Sequence, residues 1–452
     1  MRKYDSYKDS GVEWIGEIPS GWEINRLKWI SLIENSGIWG EDEEFPNSIN
    51  VPIPTTGQLS IEGEWYYDKM NLRHLSIEDW EKYKCIEGDI IVVKSSGSST
   101  NIITGKCGFI SKEDSEKFSF SNFLLRVRPD KITPKLVYYF LSSNLTKQRI
   151  ERMVSSTTYP NLKVDEYSNS ELLIPPISEQ EQIVSYLDKK TEGIDKLIQT
   201  KVRKIELLKE YRTSLISKVV TKGLNPNVEM KDSGVEWIGE IPRGWGVKRL
   251  KNVSDIKPSN VDKHIFPDEI QVRLCNYTDV YYNDFISEST ELKPGSCNEM
   301  EFEKFRLKKG DVIITKDSES PDDIGIPCLV KDDFDDVVCG YHLTLIRPQN
   351  MDGRFIFRFI QSDRTRRYFE INSNGITRYG LGKSSIENLF LPFPSLSEQE
   401  QIVSYLDEQT QLIDKNIQTE ERKIELLKEF RQSLISEVVT GKIKVCNDEE
   451  VH

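Results

Sequence analysis

Two stretches of the chain carry apolar residues at helical spacing for far longer than an ordinary core helix needs. In residues 178–223 the sevens run Leu187, Ile194, Lys201, Leu208 and Leu215, with Thr191, Ile198, Ile205, Arg212 and Val219 as companions. In residues 397–442 they run Leu406, Ile413, Glu420, Leu427 and Leu434, with Thr410, Ile417, Ile424, Arg431 and Val438. A heptad seam sustained for roughly nine turns predicts a coiled coil rather than a helix inside a core. Ser178 with Glu181, and Ser397 with Glu400, have the spacing of a capping box. The helices are therefore expected to start at those serines, after Pro175-Pro176 and after Pro394.

The sequence between these helices has a different texture. Short apolar runs bounded by Gly, Ser and Asn predict β-rich bodies, each with one helix before its final loop, at residues 134–153 and 352–371. Gly88-Asp-Ile-Ile-Val-Val-Lys94 and Gly310-Asp-Val-Ile-Ile-Thr-Lys316 read as strands opening from a Gly-Asp turn. Leu125-Arg-Val-Arg-Pro129 and Thr344-Leu-Ile-Arg-Pro348 read as strand ends.

These echoes belong to an internal repeat that organises the chain. Residues 8–28 read KDSGVEWIGEIPSGWEINRLK and residues 231–251 read KDSGVEWIGEIPRGWGVKRLK, identical at seventeen of twenty-one positions. SEQEQIVSYLD occurs at 178–188 and 397–407, and KIELLKE at 204–210 and 423–429. One unit is thus used twice: a Trp-rich leading segment, a divergent body, and a long helix. Nearly identical ends around divergent middles imply a shared structural task at the ends and different recognition in the middles. Trp14, Trp22, Trp237 and Trp245 are accordingly expected to be packing anchors, since residues shared by both repeats cannot explain a difference between them.

Charge adds a constraint. Residues 178–223 carry ten Lys/Arg and seven Asp/Glu, whereas residues 397–442 carry six and ten. Opposite signs favour pairing of the two seams within one chain, although two solvated faces would show the same count. The whole chain has a net charge of −13. A protein holding DNA unaided should be basic on one face, so any nucleic-acid grip is expected to be shared with partner subunits. Seven cysteines without a Cys-x-x-Cys pair read as reduced thiols, neither a disulfide framework nor a zinc site. No stretch has the apolar length of a membrane span, and the first residues lack a secretory pattern, which predicts a cytoplasmic protein without membrane contact.

Catalytic signatures are missing. No Gly-rich cofactor loop with an Asp/Asn-Pro-Pro-aromatic motif occurs, and Ile174-Pro-Pro-Ile177 places apolar residues where amino-methyl transfer needs polar ones. Gly382-Lys383-Ser384 resembles the end of a phosphate loop, but Thr377 stands where the first glycine should be. No catalytic residue and no metal ligand is assigned.

The Ser10-Gly-Val-Glu-Trp-Ile-Gly-Glu-Ile-Pro19 segment and its copy at 233–242 resemble the leading segment of type I restriction–modification specificity subunits. Pro175-Pro-Ile-Ser-Glu-Gln-Glu-Gln-Ile183, Lys204-Ile-Glu-Leu-Leu-Lys209 and Ser433-Leu-Ile-Ser-Glu-Val-Val-Thr-Gly-Lys442 resemble that family's helical regions. The resemblance implies target-recognition domains that each read half of a split DNA site, and helices that act as a ruler and a dock. The implied partners are double-stranded DNA, two methyltransferase subunits and endonuclease/translocase subunits. S-adenosylmethionine, ATP and Mg2+ would be bound by those partners, with no cofactor on this chain. A non-catalytic scaffold or adaptor, and a stand-alone DNA methyltransferase, are the alternative readings.

The expected architecture is α+β: two tandem β-rich target-recognition domains, each followed by a long helix, the helices forming an antiparallel coiled coil with pseudo-two-fold symmetry. Boundaries are placed at 1–176, 177–223, 224–395, 396–442 and a tail at 443–452. The seam residues are Leu187, Ile194, Ile198, Lys201, Ile205, Leu208, Leu406, Ile413, Ile417, Glu420, Ile424 and Leu427, with Lys201 and Glu420 as opposed polar positions near the helix midpoints. Polar loops at strand ends are the natural carriers of base and phosphate contacts. In the first body these are Lys94, Ser95, Ser96, Thr157, Thr158, Tyr159, Asn161 and Lys163. In the second they are Lys316, Thr377, Arg378, Tyr379 and Lys383. Asp317, Glu319, Asp322 and Asp323 make the loop after Lys316 a poor phosphate binder. Arg354, Arg358, Arg364, Arg366 and Arg367 form a basic run that fits either backbone contact or a solvated face.

Overall fold

The computed structural model describes residues 2–60, 63, 65–95, 103–155 and 161–445, with backbone alone for 151–155. The chain divides into two compact units, residues 1–200 with 422–452 and residues 201–421. Each is a mixture of helix and strand. The long helices run Ile177–Lys222 and Leu396–Val439. The first unit therefore takes the start of the proximal helix and the end of the distal one, and the second unit takes the other two halves.

In the first unit, strands Ser31–Glu34, Leu124–Pro129, Ile90–Val93 and Cys107–Phe109 form an antiparallel sheet in that order. The second unit repeats it with Ser254–Pro258, Leu343–Pro348, Val312–Thr315 and Pro327–Val330, and adds Phe285–Ile286 in parallel at the edge. Central strands Ile90–Val93 and Val312–Thr315 are buried throughout, which explains their unbroken apolar runs.

The repeated turn before these strands has a definite task. Gly88 and Gly310 have φ of +89° and +87°, the left-handed region that glycine occupies at little cost. The next residue, Asp89 or Asp311, folds back to accept a hydrogen bond from the amide N–H of Ile86 or Lys308, both at 2.9 Å. Its carboxylate also takes a two-pronged contact from the Arg-Pro arginine of the neighbouring strand, Arg128 (2.6 and 2.7 Å) or Arg347 (2.9 and 2.7 Å). Those carboxylates raise the pKa of both arginines.

The single helix expected in each body is two. Pro134–Ser142 is followed by Asn144–Met153, and Gly353–Ile360 by Asp363–Asn372. A buried serine makes the break. Ser143 Oγ donates to the Phe140 carbonyl at 2.7 Å and accepts from the Thr146 amide at 3.4 Å; Ser362 does the same with Phe359 (2.6 Å) and Thr365 (3.4 Å). Such a side chain ends one helix while capping the next.

The long helices also start earlier than expected, at Ile177 and Leu396, so Ser178 and Ser397 lie inside them. The capping box at the distal helix is instead Ser395 with Glu398, whose amide donates to Ser395 Oγ at 3.3 Å while the carboxylate accepts from Ser395 N at 3.1 Å. The Glu and Gln of the repeated SEQEQ motif serve longer-range contacts. Glu398 accepts from the Trp245 indole at 3.1 Å, and Glu179 from the Trp22 indole at 3.2 Å and the Tyr4 hydroxyl at 2.9 Å. Gln180 and Gln399 are buried, each donating to the proline carbonyl before its helix (3.0 and 2.9 Å) and accepting the amide that opens the body helix, of Thr133 or Asp352 (3.0 and 2.9 Å).

The leading segments pack as the repeat requires. Trp22 and Trp245 are buried, and strand Glu23–Arg26 pairs with Glu171–Ile174 just as Gly246–Arg249 pairs with Phe390–Phe393. Both ends of each body are thereby zipped together, which is why the ends of the repeat resemble each other more than its middle.

Candidate nucleic-acid interface

In the second unit the structure brings together the two loops selected from sequence, and in the first it brings together their described ends. Ser95 forms an antiparallel bridge with Asn161, and the Leu162 amide donates to the Lys94 carbonyl at 2.8 Å. In the second unit Asp317 and Ser318 pair with Gly380 and Tyr379, and the Leu381 amide donates to the Lys316 carbonyl at 2.7 Å. Residues 94–95 and 316–318 continue the buried central strand of each sheet, so a rigid element positions the loops. Ser96, Thr157, Thr158 and Tyr159 lie outside the described residues.

The two strand-end lysines have internal partners. Lys94 Nζ donates to the Asn35 carbonyl at 2.7 Å and Lys316 Nζ to the Ser259 carbonyl at 2.8 Å. Burial lowers the pKa of both, and the Asp317 carboxylate works against that shift for Lys316. The Lys316 ammonium also lies 4.7 Å from the ring centre of Tyr341, an exposed aromatic. In the first unit the Lys94 amide donates to the carbonyl of Phe123, whose exposed ring packs edge-on to exposed Trp39 at 6.0 Å, and Arg73 sits 5.0 Å over Trp39. These aromatic residues were not selected from sequence. Their only signal is an isolated aromatic in a polar loop, which core aromatics share.

At the far side of the selected loops, Lys163 pairs with Glu166 at 2.9 Å and Lys383 with Glu387 at 3.4 Å, both at the surface. Thr377 and Arg378 line an open cleft of about 650 Å³ with Tyr277, Tyr281, Tyr282 and Asp317. The basic run divides. Arg358 is buried against Asp407 (2.6 Å) and Thr410 (3.0 Å), Arg354 pairs with Asp352, and Arg364 donates to the Trp237 carbonyl, whereas Arg366 and Arg367 are exposed.

The helical seam contributes polar contacts inside each unit. In the second, Glu420 is buried and accepts from Lys201 and Lys204, each at 2.8 Å, and Arg212 pairs with Asp414 at 3.0 Å. In the first, Arg431 pairs with Asp195 at 2.9 Å. Leu187, Ile194, Leu406, Ile413 and Ile417 are buried. The first unit's core joins Leu187 and Ile194 to Leu434 and Val438, with Ile198 and Leu427 at its margin. Ile205 is also buried, while Leu208 and Ile424 are half-buried.

Among the described residues there is no group of three or more His, Cys, Asp or Glu side chains placed to hold a metal ion. The six described cysteines are buried and unpaired, and no helix among these residues is long and apolar enough to cross a membrane.

The family model for the type I restriction modification DNA specificity domain matches residues 19–207 and 242–429. The chain belongs to that family. The two matches to the DNA specificity domain coincide with the two repeats. The specificity subunit of the type I restriction enzyme MjaVIII of Methanocaldococcus jannaschii is 24% identical over 443 residues, 95% of each chain. The specificity subunit of EcoKI from Escherichia coli is 20% identical over 318 residues, 70% of this chain and 66% of that one. A chain solved in a study of complex assembly and conformational transition of the type I R-M system matches 94% of this chain and 99% of its own. Its TM-score is 0.67 at 15% identity, so that likeness concerns the fold.

Proposed function

We propose that this specificity subunit reads a split DNA site, one half with each body, and itself carries out no chemistry. The observation that carries the reading is the repeated pairing of the described ends of two divergent polar loops at the end of a buried central strand, within a framework that both units share. A rigid frame with variable loops is how one fold supplies two recognition surfaces.

The long helices form an antiparallel coiled coil in this proposal. Within the second unit, partners descend along the distal helix as residue numbers rise along the proximal one, from Lys201 with Glu420 to Arg212 with Asp414, which supports opposite helix directions. A tandem repeat closed by such a pair would relate its bodies by a pseudo-two-fold axis and let the helices set the gap between half-sites. The helices would also dock two methyltransferase subunits. Leu207 and Tyr211 on one helix, and Leu426 and Phe430 on the other, are exposed apolar pairs at equivalent positions of the repeat, a fit for two copies of one partner. S-adenosylmethionine, ATP and Mg2+ are then used by the methyltransferase and the endonuclease/translocase subunits, in the cytoplasm.

The test is an exchange of residues 32–172 for the equivalent body of another family member, followed by sequencing of methylated positions in a host that expresses the complex. One half-site should change and the other persist. If both half-sites changed together, the two bodies would not be independent readers.

A further inference from the structure

The cleft of the second unit contains an arginine prepared for one kind of contact. Arg378 Nη2 donates to Asp317 Oδ1 at 2.8 Å. His342 Nδ1 lies 2.6 Å from Asp317 Oδ2 and 3.3 Å from Arg378 Nη2. The short contact to a carboxylate assigns the Nδ1 proton as the donor to Asp317, so Asp317 holds both side chains. Asp317 is itself fixed by strand pairing with Gly380 and is largely buried. The arginine is 60% exposed, and its Nη1 and Nε have no partner among the described residues.

Two further features belong to this cluster. His342 has φ of +70°, a conformation seldom adopted by side chains other than glycine and concentrated at sites where structure enforces it. The cleft also holds Tyr277 stacked on Tyr281 at 5.6 Å, with the Tyr281 hydroxyl donating to Asp323 at 2.5 Å.

The charge of the cleft decides what Arg378 meets. Asp317, Glu319 and Asp323 line it, so a phosphate would be repelled there, and the arginine's own charge is balanced by Asp317. Asp317 takes one hydrogen of Nη2, and what remains is the end-on fork of Nη1 with the second Nη2 hydrogen, two parallel donors whose geometry matches the O6 and N7 acceptors of guanine in the major groove. We propose that Arg378 reads a guanine of the half-site bound by the second unit, with Asp317 and His342 as its positioning residues. This rests on the reading of that unit as a DNA reader. The acidic loop after Lys316, unsuited to phosphate, is thereby the support of a base contact. The register that equates Ser95–Asn161 with Asp317–Gly380 puts Tyr159 at the sequence position of Arg378. The device therefore belongs to one repeat only, as a determinant of different half-sites must.

The experiment uses the full chain assembled with its methyltransferase subunits and the duplex defined by its methylation motif. Each guanine of the second unit's half-site is replaced in turn by 7-deazaguanine, which lacks the N7 acceptor. At one position the wild-type complex should bind about tenfold more weakly, the lower part of the range for a bidentate base contact. Arg378→Ala should bind the unmodified duplex about tenfold more weakly and be indifferent to that one replacement. Asp317→Asn should reduce discrimination at the same position and leave the other positions as in wild type, which a general loss of folding would not do. Three results would overturn the inference: a half-site without guanine, an R378A complex as sensitive as wild type at every guanine, or an R378A defect equal on cognate and scrambled duplex with a salt slope reduced by about one, the mark of a phosphate contact. A wild-type complex that failed to separate cognate from scrambled DNA would remove the reading role itself, and this inference with it.

Discussion

Replacing Asp89 by alanine removes a carboxylate with no exposed surface and strands its three donors. The Arg128 guanidinium loses two charge-assisted bonds, each worth about 1.5–3 kcal/mol in a favourable site. The Ile86 amide is left without its acceptor, at a cost of about 1–3 kcal/mol if water cannot reach it. Arg128 is 31% exposed and can be partly rehydrated, which places the expected loss at or just under the lower end of the sum, about 3–4 kcal/mol. Asp311→Ala offers an internal control. Its donor inventory is the same, but Arg347 keeps the Arg306 carbonyl at 2.6 Å, and Leu345 stands where the first unit has Arg126, a buried cation 3.8 Å from Asp89. The Asp311 change should therefore cost less, about 2–3 kcal/mol. A chain with two units need not unfold in one step, so the assay is hydrogen exchange read by peptide under increasing urea. Asp89→Ala should weaken protection in the sheet containing Ile90–Val93, and Asp311→Ala in the sheet containing Val312–Thr315. A loss below about 1 kcal/mol at Asp89, or a larger loss at Asp311 than at Asp89, would refute the assignment of this turn as the clamp of each sheet.

Other consequences can be checked in the same system. The purified chain alone should neither methylate nor cleave DNA; turnover that co-purifies with it through successive columns would contradict the non-catalytic reading. Glu420→Ala should lower stability by about 1–3 kcal/mol by leaving Lys201 and Lys204 without their shared carboxylate, whereas a Lys201→Leu, Glu420→Leu pair should be close to neutral, as measured by urea midpoints. Leu207→Asp with Tyr211→Asp should weaken methyltransferase binding in pull-down or ultracentrifugation without unfolding the chain, and an unchanged affinity would take that face off the docking surface. Lengthening one long helix by a heptad should widen the gap between half-sites and preserve the bases read; a fixed gap would leave the helices as a dock without a measuring role.

The parts of this structure legible in sequence are those that obey a period or recur. Heptads located both helices, and near-identity of the two leading segments located the frame. Finer features were legible as patterns but not as causes. The Gly-Asp turn and the Arg-Pro strand end could each be seen twice in the sequence, yet their meeting through Asp89–Arg128 and Asp311–Arg347 depends on strands separated by more than thirty residues. The capping boxes were misplaced for a related reason. Ser-x-x-Glu fits a local rule at Ser178 and Ser397, but Glu179, Gln180, Glu398 and Gln399 are committed to tryptophans, prolines and body helices elsewhere in their units, and that tertiary demand sets where each helix begins.

The candidate loops expose the limit of composition as a guide. A lysine at the end of a strand is a reasonable phosphate ligand by residue type, yet Lys94 and Lys316 each spend their ammonium on a backbone carbonyl of their own body. Acidic residues are poor candidates by the same reasoning, yet Asp317 orders Arg378 and His342, and Asp323 orders Tyr281. Reading a base requires a donor held in direction, and in a folded protein direction comes from the counter-charge behind the donor. A carboxylate beside an exposed arginine fixes the direction of a planar donor, whereas a loop rich in lysines offers point charges that any phosphate satisfies. On that argument the net acidity of the chain is compatible with the proposed role at DNA: partner subunits would supply the sequence-independent grip, and this chain would supply the few oriented groups that distinguish one base pair from another.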